Sequence, residues 1–486
     1  MGRRTTMQPN TTWKLIYNSF EGMQRRAVEL LHKQLGARVL RDGNIYTLHV
    51  LPIEREGAPL VQSNVVVGRY DQSPLIRAHI ARQDIPAGGY AVRVMANPEQ
   101  PGGNLVLITG GSDREVFYGA TDFVFDYLPG AAPRNSSLLN SWDTFARPLP
   151  DYFHASAPAI RHRGVWTWGH PINDYREYIE NMACMRLNQL TLWNDHLPLN
   201  AADIIAYAHS YGIEVIWGFA WGWSTNCARI DLDQLPAVTA QVAENFREVY
   251  APLNVDGIYF QSFTELHQES INGRLIAREV TDFVNATAAE LYRTHPELKI
   301  QFGLHATSVR NHLNEIARID PRIEIVWEDC GPAPYNHFLA YAEQDEAAFA
   351  GNVRFTDQMI DLRPDGKSAF AYKGHVGMDW TRFVHQSGPY ILGEASRELI
   401  EHDRRIVAPM WRMTQAGWLK YGEQTHRMTR HIADKTGGDI SICAVGRFAG
   451  GCWYPLALTA QLLWDPREAY ADVSARVAGR SYVTFA

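Results

Sequence analysis

Between residues 20 and 35 apolar side chains recur at the spacing of one helical face. The pattern then shifts to short apolar or alternating runs, VLRDGNIYTLHVLP, SNVVVGRY, GGYAVRVM and GNLVLITGG, set between Gly, Pro and Asn, which predict strands. DREVFYGATDFVFDYL returns to helical spacing before Pro129, Gly130 and Pro133 interrupt it. One helix, several strands and a closing helix predict a small α+β domain over residues 1–150.

After Pro158 the rhythm becomes strand then helix, repeated. RGVWTW, NQLTLW, EVIWGFAWGW, DGIYF, IQFGL and IEIVW read as successive strands, with AFAYKG as a seventh; between them lie helical stretches such as DYREYIENMACMRL, AADIIAYAHSYG and the run over residues 272–295. Strands this continuously apolar belong to a parallel sheet covered on both faces. The predicted fold class is α/β: a (β/α)8 TIM barrel with an N-terminal α+β domain and a helical C-terminal segment. The barrel is expected over residues 151–395, and residues 396–486 as a helical region that completes or caps it. The eighth strand has no clear place in the pattern. An open doubly wound sheet would show the same periodicity, because closure leaves no mark on it.

Composition narrows the function. A chain of 486 residues with 46 % hydrophobic and 20 % charged positions supports more than one packed core. A formal net charge of -7 excludes the basic field that nucleic acid requires. Five widely spaced cysteines make no CxxC pair and suggest neither a zinc ribbon nor a disulfide framework. No stretch approaches the ~18 apolar residues of a membrane span, and the first residues hold no signal-like apolar core. The expectation is a cytoplasmic protein with no nucleic-acid or membrane partner, a homo-oligomer remaining open. With no Gly-rich phosphate loop, no HxH after the first strand and no HExxH, neither a cofactor nor a metal is expected.

In a TIM barrel the chemistry sits at the C-terminal strand ends. Those positions here include Trp166, Trp168, Trp193, Trp217, Trp221, Trp223, Trp327 and Trp380, eight of the fourteen tryptophans, interleaved with Asn194, Asp195, Glu265, His305, Glu328, Asp329, Lys373 and Asp379. Sugar rings stack their CH faces on aromatic rings and present hydroxyls to polar groups, so such a mouth suits a small oligosaccharide or glycoside. Glycosidic cleavage needs two carboxyl groups. Glu265 is the expected proton donor, its carboxyl raised by burial among Phe260, Phe263 and the tryptophans. Glu328 and Asp329 are candidates for the second group; as strand neighbours they should point to opposite sides, so that only one faces the site. Asp195 and Asp379 are held in reserve. A set of metal ligands in ELHQE, Glu265, His267 and Glu269, is the weaker alternative.

The N-terminal stretch GGYAVRVM…NLVLITGGSDREVFYGATDFVFDYL resembles the small α/β domain that precedes the barrel in family 67 α-glucuronidases and family 20 β-hexosaminidases. Arg163-Gly164, MACMRLNQLTLWND and AHSYGIEVIWGF resemble the first three strands of the same enzymes, and the likeness spans about residues 85–225. It implies a glycoside hydrolase acting on an exo-linked sugar. Family 20 enzymes carry an adjacent Asp-Glu after the fourth strand, where this chain has Thr264-Glu265, so the resemblance leans to the α-glucuronidases and to a uronide. Arg163 and Lys373 are the cations expected to neutralise its carboxylate, with Trp168, Trp193, Asn194, Asp195, Trp221, His305, Trp327, Asp379 and Trp380 as further substrate contacts. A sugar-binding barrel without catalysis and a metal-dependent sugar isomerase or lyase are the alternatives.

Overall fold

The computed structural model describes residues 13–39, 51–131, 148–167, 172–194, 196–221, 231–333, 341–373, 388–445 and 453–479. The chain forms two compact units that part between Pro158 and Ala159, with residues 210–212 counted to the first.

The first unit is built on a six-stranded sheet of β1 (Trp13–Tyr17), β2 (Ile53–Arg55), β3 (Ser63–Arg69), β4 (Tyr90–Ala96), β5 (Asn104–Gly110) and β6 (Tyr152–Ser156), in the order β2-β1-β3-β5-β4-β6. β1, β2, β3 and β5 run parallel, while β4 lies antiparallel between β5 and β6. The continuous apolar runs of β3 and β5 are central and buried. On one face Leu105 and Leu107 join Ile16, Val66, Ile76, Ile80 and Ile85 in an aliphatic cluster. On the other, Gly119 of the helix Asp113–Asp122 comes so close to Ile108 and Tyr90 that no larger residue fits there. That helix starts with a capping box: the Ser112 hydroxyl accepts the Glu115 N–H and the Glu115 carboxylate accepts the Ser112 N–H, satisfying two end donors. The apolar pattern does not single out β1 or β6, each only five residues long, and the sheet takes β6 from beyond residue 150. Most of VLRDGNIYTLHVLP lies outside the described residues.

The second unit is a closed barrel of eight parallel strands: His162–Trp166, Gln189–Trp193, Glu214–Gly218, Gly257–Gln261, Lys299–Leu304, Glu324–Cys330, Ser368–Tyr372 and Ser441–Val445. Each pairs with the next, and the eighth pairs with the first from Ser441↔His162 to Val445↔Trp166, which excludes the open sheet. The eighth strand, SICAV, follows a 40-residue helix, Arg397–Thr436, that starts on a Ser396 cap and stops where Gly437 adopts φ 64°. The C-terminal region is therefore helical and supplies the closing strand. No helix among the described residues is long and apolar enough to cross a membrane.

Side chains alternate into the barrel and out toward the helices. Trp166, Trp193, Ile216, Tyr259, Val326, Ala369, Ala371, Cys443 and Val445 fill the interior. The rings of Trp166 and Trp193 meet Tyr259 edge-on, at 5.1 and 5.8 Å between centroids. This plug carries the polar residues of the mouth.

Candidate active site

Four consecutive strands, the fourth to the seventh, deliver one hydrogen-bonded group at the mouth. His305, just past the fifth strand, places Nε2 2.7 Å from Glu328 Oε2 and Nδ1 2.8 Å from Asp329 Oδ2. Lys373, just past the seventh, donates to Asp329 Oδ1 at 2.8 Å. From the fourth strand the Tyr259 hydroxyl donates to Glu328 Oε1, and Gln261 Nε2 donates to Glu328 Oε2 at 3.1 Å. All of these side chains are buried. Glu265 differs: its side chain is 51 % exposed, and Oε1 stands 4.0 Å from His305 Nε2.

Backbone geometry explains how Glu328 and Asp329 both join this group. Trp327 pairs with Phe370 and Cys330 with Tyr372, so three steps on the sixth strand face two on the seventh. One extra residue is accommodated as a bulge, and the alternation that would send Asp329 outward is lost. The expectation that only one of the pair faces the mouth is thereby overturned. Room for Glu328 comes from the neighbouring fifth strand, where Gly303 has no side chain: a Cβ there would stand 1.9 Å from both Glu328 Oε1 and the Tyr259 hydroxyl.

Electrostatics follow from the burial. Desolvation alone would lower the His305 pKa, but Glu328 and Asp329 outweigh it and Lys373's opposition, pushing the imidazole up to about 10. It is therefore an imidazolium near neutrality, with an N–H for each carboxylate. Burial works against the ionised form of Asp329, yet His305 and Lys373 hold its carboxyl well below the usual range. Burial first, and then the charge of Glu328, push the Tyr259 phenol well above its ordinary value, so it stays a donor.

Several candidates take other places. Arg163 lies fully buried, with its guanidinium donating to the carbonyls of Ile160, Arg161 and Arg186 and stacked 5.2 Å from the Trp464 ring. Arg186 sits in the left-handed region at φ 63°, so Arg163 is a clamp on the turn that leads into the second strand rather than a ligand for substrate. Trp221 stacks on Phe260 at 3.5 Å and meets Phe283 of the helix Ile276–Thr294 edge-on. Trp327 packs edge-on against Phe355 and Phe370. Trp327 fills the layer behind the strands because its position has outward parity, and Trp221, three residues past the third strand, packs into the same aromatic layer; they correct the reading of a sugar-stacking set. Phe260, stacked against Trp221 and Phe302, is directed the same way and shields no acid. The expectation of a buried Glu265 is corrected by its exposure. Trp193 closes the interior plug just below the mouth, and next to it Asn194 is nine-tenths buried, its Oδ1 without a hydrogen-bond partner among the described residues. Trp168, Asp195, Asp379 and Trp380 lie outside the described residues. Glu269, from the weaker metal set, is engaged by Asn311 at 2.7 Å and His312 at 3.0 Å. Tyr259 and Gln261 were not singled out as partners of Glu328; their inward parity, two residues apart on one strand, is the signal that points to them.

No family model matches the chain, and no curated protein matches it. Among solved structures it is similar to the family 84 glycoside hydrolase CpGH84B, with a TM-score of 0.54 at 11 % identity over 96 % of this chain and 70 % of that one. The family 20 chitobiase of Flavobacterium johnsoniae aligns with a TM-score of 0.48 at 12 % identity, over 97 % of this chain and 70 % of that one. The likeness to CpGH84B is one of fold, a TIM barrel.

Proposed function

We propose that the chain hydrolyses an exo-linked glycoside at the barrel mouth, with Glu265 as proton donor and Glu328 as the second carboxylate. The observation that supports this most is that one nitrogen of His305 stands beside both acids, 2.7 Å from Glu328 and 4.0 Å from Glu265. Their surroundings differ: Glu328 is buried beneath three donors, while Glu265 is open to solvent. Two carboxyl groups in unlike environments are what a division between acid and charge-stabilising roles requires. In this reading Glu328 faces the positive charge that builds on the sugar ring, and Asp329 holds His305 and Lys373 in place. A uronide glycone would find Lys373 already paired with Asp329 and Arg163 committed to backbone carbonyls, so we propose a glycone without a carboxylate.

The test is Glu265→Gln on aryl glycosides. Turnover of a poor leaving group should fall by ~10²–10⁴, with a smaller loss for an activated aryl group, because only the former needs protonation. Equal losses on both substrates, or none, would remove Glu265 from the role. The full hydrogen bonding of Glu328 and Asp329 also suits a sugar-binding barrel without turnover. Calorimetric binding of an oligosaccharide that remains intact through prolonged incubation would favour that second reading.

A further inference from the structure

Thr264 lies in the tight turn Phe263–Glu265 that follows the fourth strand, and it is fully buried. It reaches across to the loop after the fifth strand through both backbone and side chain. Its hydroxyl oxygen accepts the backbone N–H of His305 at 3.2 Å. Its carbonyl accepts the Ser308 N–H at 3.3 Å and the Ser308 hydroxyl at 2.7 Å. Ser308 is likewise fully buried. One of the two joined loops carries Glu265; the other carries His305, whose Nε2 lies 4.0 Å from Glu265 Oε1.

The side chain of Glu265 is half exposed, so its placement depends on the turn beneath it. Three hydrogen bonds shielded from water, one to His305 and two to Ser308, tie that turn to the loop after the fifth strand, which carries His305. Thr264 itself, with no exposed surface, has no face to offer a substrate. We propose that Thr264 is the positioning residue for Glu265, locking the proton donor in register with His305 and Glu328; this rests on the reading of Glu265 as the donor. The residue type fits the task, since a β-branched side chain has few rotamers and the hydroxyl supplies the acceptor that the His305 amide needs.

Thr264→Val keeps the shape and removes the acceptor, whereas Thr264→Ser keeps the acceptor. On aryl glycosides with a poor leaving group, the valine variant should lose about 10- to 100-fold in kcat with KM unchanged, the cost of a misplaced catalytic group. Activated aryl glycosides should lose less, and the serine variant should stay close to wild type. The backbone amide of His305 should exchange its hydrogen faster in the valine variant and not in the serine variant. A valine variant with wild-type kcat, a serine variant as impaired as valine, or a loss in KM alone would overturn the proposal. Should the valine variant fail to fold, Ser308→Ala removes one of the three bonds from the opposite loop; wild-type kcat there would overturn it and a partial kcat loss would support it. If wild-type protein turns over no aryl glycoside, the hydrolase reading has failed. Amide exchange at His305 then decides the loop lock by itself: faster exchange in the valine variant supports it, and unchanged exchange overturns it.

Discussion

At the floor of the barrel His162 meets Glu214 at 3.2 Å, and Lys299 lies 3.7 Å from Glu214 and 4.0 Å from Glu324. At the mouth His305 meets Glu328 at 2.7 Å and Asp329 at 2.8 Å, and Lys373 meets Asp329 at 2.8 Å. Each end thus gathers one histidine, one lysine and at least two carboxylates from three or more strands. The difference is water. Side chains of His162, Glu214 and Lys299 are 21 %, 25 % and 29 % exposed, against 8 % for Glu324, and the four line a cavity of about 570 Å³; at the mouth His305, Glu328, Asp329 and Lys373 are 1–7 % exposed. Solvated charges can be paired loosely at little cost, whereas buried ones persist only if each is neutralised and hydrogen-bonded by its neighbours. The lesson is that the floor, despite its cavity, has the character of a stability face, and that the strained electrostatics mark the mouth as the place for chemistry.

The sharpest way to break this comparison is to remove one charge from each end. Asp329→Asn leaves His305 and Lys373 without their shared anion and should cost about 3–5 kcal/mol in urea unfolding. Glu214→Gln, at the wetter floor, should cost no more than about 1 kcal/mol. Equal losses would show that the two clusters are energetically alike. A smaller effect is expected from Gly303→Ala, whose added methyl must push Glu328 and Tyr259 apart. The overpacking should cost about 1–3 kcal/mol, and a crystal structure of the variant with Glu328 unmoved would refute the crowding.

A further effect is in the pH dependence of stability. The His305 pKa is raised in the fold, so its contribution is complete below the ordinary imidazole value of 6.5 and fades as pH rises toward about 10. Asp329 is lowered, so its contribution is present above the ordinary value of 3.8 and fades as pH falls below it. The melting temperature of wild type minus that of His305→Gln should therefore shrink between pH 6.5 and 10. A difference that stays constant across this range would mean that His305 carries no bound proton in excess of the unfolded chain.

Particular residues show how far the sequence could be read. Glu265, His305, Glu328, Asp329 and Lys373 were recognisable as strand-end polar residues, since seven apolar runs mark where the strands stop. Their division into an open acid and a closed buried group was not, because exposure depends on what the neighbouring strands place beside each one. Glu265 reads like a residue shielded by Phe260 and Phe263, yet Phe260 points behind the sheet into the aromatic layer. Arg163 reads as a cation near a site and is spent on a turn carbonyl.

Local periodicity was enough to determine the α/β class, the succession of strand and helix after Pro158 and the helical C-terminal text, because burial on one face or two imprints a period on neighbouring residues. Tertiary structure alone decided closure through Ser441–Val445, whose five residues say nothing of their distant partner His162–Trp166. It decided also that Glu328 and Asp329 share one site. Parity is a local rule, but the extra residue between Trp327 and Cys330 exists only relative to the register of the strand beside it, and register is set by pairings between distant parts of the chain.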